Sequence, residues 1–295
     1  MIEVTHFTDP GCPWAYSASP ALTTLGWRYG DELRWTLVTI GLTEDSTQYA
    51  ARGYDPTRSA IGWRTTFARF GMPLAFTPKA GLSATSPGCR AIVATRLDAP
   101  EHETAAFRAL QFAQFTTTGR LEDPAMLRAA LQTVPGLDED AIVARIDDRD
   151  IVAAYEADRA RARTAAGSPT EFQGRAANTD GAVRYTAPSL VFEAGGRSLE
   201  AGGFQPIEAY DVLVANLDPT LARRPPATDP VDVLTGVPYP LASAEVAAAM
   251  TPHLAAPDLI AAETALIAAV GDGRVVRAAA GDSSLWSLAG ATVAD

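Results

Sequence analysis

The chain has 295 residues, 35 acidic and 24 basic, for a formal net charge of -11, and 47% of it is apolar. That is enough apolar material for a sizeable core, in one large domain or two, while the acidic balance repels phosphate backbones and anionic headgroups and argues against nucleic-acid and membrane partners. No run of about 18 uncharged apolar residues occurs, and the opening Met1 to Phe7 has neither a basic leader nor a small-residue cleavage site, so the expected location is the cytoplasm.

Ile2 to Phe7 has the β-branched and aromatic character of a strand, closed by the breakers Asp9, Pro10 and Gly11. From Pro13 to about Tyr29 a helix is predicted: proline suits its first turn, and Trp14, Ala18, Ala21, Leu22 and Leu25 recur at helical spacing. Leu33 to Thr39 alternates as a strand, which completes a strand-helix-strand unit of an α/β protein. From about Tyr54 to Gly167 the pattern is helical almost throughout. Asp123-Pro124 predicts a cap and first turn, another helix opens near Asp138, and a third runs from Arg149 to Ala166 and stops at Gly167-Ser168-Pro169. After a loop containing Gly174, Asn178, Asp180 and Gly181, a hairpin is predicted from Ser189-Glu193 and Arg197-Glu200 across Gly195-Gly196. Gly202-Gly203 leads to a helix from Pro206 to about Leu217. The proline-dense stretch beyond it, with Arg223-Arg224-Pro225-Pro226, has the composition of a stiff linker.

The last segment reads as a separate small unit: a helix capped by Ser243, a second from about Pro257 to Val270, and a hairpin pairing Arg274-Arg277 with Ser284-Leu288 across Gly281-Asp282. Helices followed by a hairpin resemble a winged-helix module. From Val231 onward it carries seven acidic residues against two basic ones, Asp295 among the former, so DNA binding is not expected. The expected role is packing, dimerisation or partner contact, and a homodimer is among the expected states.

Two cysteines (Cys12 and Cys89) and three histidines (His6, His102 and His253) show no CxxC, HxxxH or HxH spacing, so no metal site is predicted. Cys12 falls between the first strand and its helix, where backbone N-H groups and the positive end of the helix dipole converge. Such a setting favours the thiolate, the nucleophilic form, and Cys12 is therefore expected to be the more acidic of the two thiols. Asp9 either positions a substrate or caps the turn. His6 is expected inside the sheet. Trp14 reads as a pocket wall, and Trp63, Phe67, Phe70 and Phe76 as either core or the lining of a pocket facing Cys12.

The segment Phe7-Thr8-Asp9-Pro10-Gly11-Cys12-Pro13-Trp14-Ala15-Tyr16 resembles the active-site segment of the DsbA-like thioredoxin-fold family, in the branch that holds polyketide-pathway thiol oxidoreductases, 2-hydroxychromene-2-carboxylate isomerases and kappa-class glutathione transferases. The resemblance spans about residues 2 to 217. It implies an α/β thioredoxin fold over residues 1-220 with a large helical insertion at about 54-178, followed by a linker at 221-231 and the winged-helix-like module at 232-295. It also implies that Pro188, in Thr186-Ala187-Pro188-Ser189, is cis and lies beside the active sulfur, with Pro13, Trp14, Ala187 and Pro188 contacting substrate. Dithiol members carry a second cysteine where this chain has Ala15, so a disulfide within the motif is excluded.

Three mechanisms stay open. Cys12 attacks a disulfide and a low-molecular-weight thiol of glutathione or mycothiol type resolves the adduct; or Cys89 resolves it; or no redox step occurs and the site holds a thiol for isomerisation or conjugation. A fourth outcome is a catalytically silent binding or assembly protein.

Overall fold

The computed structural model describes residues 1-179 and 181-290; Asp180 of the predicted loop and Asp295 of the acidic tail segment lie outside them. Strand β1 (Ile2-Thr8) leads through a tight loop to helix α1 (Pro13-Ser17) and helix α2 (Ser19-Tyr29), then to β2 (Leu33-Thr39). The single helix expected over 13-29 is split at Ala18, and Pro20, which has no N-H to give the preceding turn, stands at the start of the second piece. β2 pairs parallel to β1 in register from Ile2-Leu33 to Thr8-Thr39.

The insertion comprises α3 (Thr47-Ala51), α4 (Pro56-Gly62), α5 (Ser86-Asp98), α6 (Glu103-Thr116), α7 (Pro124-Leu131), α8 (Glu139-Arg145), α9 (Arg149-Ala162) and the short α10 (Pro169-Phe172). Asp123 and Asp138 accept hydrogen bonds from Ala125 N and Ala141 N and so cap α7 and α8. Ser168 caps α10 rather than ending a helix, its hydroxyl accepting from Glu171 N. A two-residue ribbon, β3 (Ala176-Ala177) with β4 (Arg184-Tyr185), returns the chain to β5 (Ser189-Ala194) and β6 (Arg197-Ala201). The main sheet has the order β2-β1-β5-β6, with β5 antiparallel to β1, and α11 (Ile207-Leu217) covers it together with α2.

His6 is buried on β1 against the rings of Trp35 and Phe107, and burial followed by the nearby Arg108 charge pushes its pKa down to about 3. The folded value lies below the unfolded one of about 6.5, so the unfolded chain takes up the extra proton and stability is lost as pH falls between those values. We expect roughly 2 kcal/mol of stability to disappear between pH 7 and pH 5 in urea titrations. His6→Gln should flatten that dependence, and an unchanged slope in the variant would remove His6 as its source.

Beyond α11 come α12 (Pro230-Thr235), β7 (Leu241-Ala242), α13 (Ser243-Ala249), α14 (Leu259-Gly271), β8 (Val275-Ala280) and β9 (Ser283-Leu288), with the sheet order β7-β9-β8. Ser243 does not cap α13. Its hydroxyl accepts from the indole of Trp286, and Glu245 instead accepts from Ala242 N at the helix start. The proline-dense stretch does not hold two bodies apart: Arg224 N donates to Arg28 O, the indole of Trp27 donates to Pro225 O, and Arg224 lies 4.5 Å over the Trp27 ring. A buried ion pair joins the two parts, with Arg108 of α6 donating to both oxygens of Glu245 at 2.8 Å. The tip of the β8-β9 hairpin also docks on the insertion. Leu74 N donates to the Asp282 carboxylate, and Asp282 N donates to Leu74 O. Gly281 has φ +54 and sits so close that a Cβ there would come within 2.6 Å of the Leu74 backbone.

Candidate active site

The loop from β1 to α1 is shaped around Asp9. Its side chain accepts from Gly11 N (2.8 Å), Leu42 N (2.9 Å), the Thr85 hydroxyl (2.9 Å) and the Cys89 thiol (3.6 Å), and its carbonyl accepts from Cys12 N. One carboxylate thus ties the loop to the end of β2 and the start of α5. Gly11 lets the loop press against α5, since a Cβ there would fall 2.5 Å from Thr85 Cγ2. Burial pushes the Asp9 carboxyl above its ordinary range, and the converging donors act against that shift.

Cys12 precedes Pro13 as the extended N-cap of α1. Its Sγ donates to Ala187 O at 3.1 Å, and the Ala187-Pro188 peptide is cis. The thiol does not have the acidity its position in the sequence suggested. Burial, with the side chain 6% exposed, pushes it up to about 12; the Asp9 charge adds to the rise, while the amides of Ala15 and Trp14 and the charge of Arg184 oppose it. The physical reason is that α1 has five residues and its dipole is correspondingly weak, whereas desolvation of a thiolate acts in full. Asp9→Asn should speed alkylation of Cys12 at pH 8 by removing a neighbouring charge. It should also lower stability by about 1-3 kcal/mol, because the amide turns donors toward donors; a slower or unchanged alkylation rate would contradict the electrostatic account.

Cys89 lies on α5, fully buried, with its thiol turned to Asp9 and pushed well up by burial and that same charge. Both cysteines are free. Trp14 is 39% exposed and meets Phe67, Phe70 and Phe204 edge-on at 4.9, 6.0 and 5.7 Å. Of the four aromatic residues singled out in the insertion, Phe67 and Phe70 therefore reach the wall beside Cys12. Trp63 packs inward on Phe115, and Phe76 lies under the Arg64 guanidinium. Phe67 owes its position to a π-helical turn over Trp63-Phe67.

Two residues of the site carried no sequence signal. Phe204 follows a Gly-Gly pair that reads only as a helix approach. Arg184 is a buried cation on β4 that donates to Tyr185 O and the Thr179 hydroxyl, and nothing in Val183-Arg184-Tyr185 marks it as a neighbour of Cys12. Pro13 occupies the first turn of α1.

The fold has counterparts among solved structures. A candidate protein disulfide isomerase from Nitrosomonas europaea is 19% identical with a TM-score of 0.55, and covers 73% of this chain and 96% of its own. The cytosolic disulfide reductase DsbM of Pseudomonas aeruginosa is 16% identical (TM-score 0.51), covering 73% and 98%. A candidate DsbA oxidoreductase of Streptomyces coelicolor is 18% identical (0.52), covering 77% and 93%. The chain has the DsbA-like thioredoxin fold. About a quarter of its length has no counterpart in these structures. No family model and no curated protein matches the sequence. Among the described residues no helix is long and apolar enough to cross a membrane.

Proposed function

We propose that this chain is a cytoplasmic thiol-disulfide oxidoreductase that works through the single thiol of Cys12 and is reset by a low-molecular-weight thiol of glutathione or mycothiol type. The observation that carries this reading is Cys12 Sγ poised 3.1 Å from the carbonyl of the cis Ala187-Pro188 peptide, beside the partly open wall of Trp14. In the resting state that hydrogen bond keeps the proton on sulfur. A backbone N-H of a disulfide substrate lying along Ala187-Pro188 competes for the carbonyl and frees the thiol to ionise. The thiolate then attacks one substrate sulfur, forming a mixed disulfide with Cys12 and releasing the other sulfur as a thiolate, which takes up the proton. A small thiol in turn attacks the mixed disulfide, leaving as a new disulfide and restoring Cys12. Ala15 in the motif leaves no internal competitor for that step, and Cys89 faces Asp9, so we assign the resolving role to the external thiol.

A cleft of about 380 Å³ between Gly41-Leu42, Arg52, Arg159 and Thr179 supports a small polar cosubstrate. Leu42 belongs to its wall and packs on the apolar cluster that contains Cys12. Residues 232-295 we read as a winged-helix-like domain appended to the oxidoreductase domain of residues 1-220, a reading supported by the order α12-β7-α13-α14-β8-β9.

A second reading has one observation in its favour. A buried cysteine with a raised pKa is ordinarily inert, which suits a silent binding or assembly protein. Turnover of a glutathionylated peptide with free thiol, followed by mass spectrometry, separates the two. Oxidoreductase chemistry gives an adduct mapped to Cys12, released by added thiol, and turnover that falls to the uncatalysed rate in Cys12→Ser but persists in Cys89→Ala. Absence of any adduct after prolonged incubation establishes the silent reading, and turnover that survives Cys12→Ser overturns both assignments to this sulfur.

A further inference from the structure

Helix α14 reads Leu-Ile-Ala-Ala-Glu-Thr-Ala-Leu-Ile-Ala-Ala-Val-Gly from Leu259 to Gly271. Ala262, Leu266 and Ala269 are buried in the C-terminal unit. A helix apolar on every side is ordinarily covered on every side, yet the outer face of this one is bare. Ile260 is 80% and Ile267 59% exposed, and with Thr264 and Ala268 they form a stripe at helical spacing. The Thr264 hydroxyl is spent on its own helix, donating to Ile260 O. Leu259 and Val270 flank the stripe, and Leu254, in the preceding loop, is 75% exposed with a left-handed φ of 64°. Glu263 is the one ionisable residue in the helix. Without lysine or arginine this helix cannot neutralise phosphates.

We propose that this face is the two-fold interface of a homodimer. A chain of net charge -11 repels its own copies over most of its surface, and a face whose one carboxylate is Glu263 is where two copies meet with little opposition of like charges. A two-fold axis through Thr264 sets each stripe against itself, as an isologous contact requires, and the small side chains of Thr264, Ala268 and Gly271 let the helices approach to about 8-10 Å. The large apolar side chains at the patch present on the order of 500 Å², and the small residues and backbone around them bring the contact toward the roughly 800 Å² per partner of a stable interface. The proposal is independent of the chemistry at Cys12.

The test is light scattering and sedimentation of the full-length chain from 1 to about 100 μM. Wild type is expected as a dimer. Ile260→Asp and Ile267→Asp should each raise the dissociation constant by about 100-fold or more, leaving circular dichroism unchanged because both side chains face solvent in the single chain, while the thermal midpoint loses the dependence on protein concentration that a dimer gives it. Thr264→Cys, whose fold is not at risk, should double in mass with a short bis-maleimide. A monomeric wild type at the highest concentration, a dimer unaffected by both aspartates, or no crosslinked product from Thr264→Cys would overturn the proposal.

Discussion

Replacing Glu245 by leucine should cost about 3-5 kcal/mol of stability, the largest loss we expect from any single substitution outside the sheet core. Arg108 and Glu245 are 6% and 1% exposed at the side chain. Every polar atom of the carboxylate is engaged: Oε1 accepts from Arg108 and the Thr23 hydroxyl, Oε2 from Arg108 and Ala242 N. Arg108 also donates to Ser19 Oγ and Gln111 Oε1 and lies 4.5 Å over the Phe112 ring. The leucine variant strands a desolvated guanidinium between the insertion and the C-terminal unit. The double variant Arg108→Met with Glu245→Leu removes both charges and should recover most of the loss, because a buried pair is worth little against an apolar replacement of similar volume. Urea midpoints of the two single variants and the double variant measure the coupling; additive single losses would mean that the two side chains act independently.

The second large effect concerns the reactivity of Cys12 at rest. With its pKa pushed up to about 12 from an ordinary 9.0, its thiolate fraction at pH 7.5 is about a thousandth of that of an unperturbed thiol. Iodoacetamide labelling, mapped by mass to separate Cys12 from Cys89, should therefore be slow at neutral pH. It should climb about tenfold per pH unit from 7 to 10 with no plateau. A plateau below pH 8 would show that the amide groups at the start of α1 outweigh desolvation after all, and the masked resting state would have to be abandoned.

The strand-helix-strand opening and the hairpin across Gly195-Gly196 were legible in the sequence because local patterning decides them: period-two alternation, first-turn prolines and paired glycines. Asp123 and Asp138 announced their helices for the same reason. The position of Cys12 at a strand-to-helix corner was equally legible. Its acidity was not, because that depends on how deeply the sulfur is sealed and on Asp9, whose partners Leu42, Thr85 and Cys89 come from distant parts of the chain. Arg184 and Phe204 escaped for a similar reason, since only the tertiary fold brings them to the site. Ser243 looked like a cap, and the long-range demand of the Trp286 indole took its hydroxyl away.

The grip of the β8-β9 tip on Leu74 reaches further than the hairpin itself. The neighbouring Pro73 carbonyl receives the Tyr16 hydroxyl at 2.8 Å, and Tyr16 belongs to the helix that begins beside Cys12. Asp282 therefore braces, by way of two adjacent residues, the scaffold on which Cys12 is mounted. A fragment ending at residue 220 would keep every residue of the site and lose the buttress that steadies it, so a difference in Cys12 labelling between such a fragment and the whole chain would report on mechanical support.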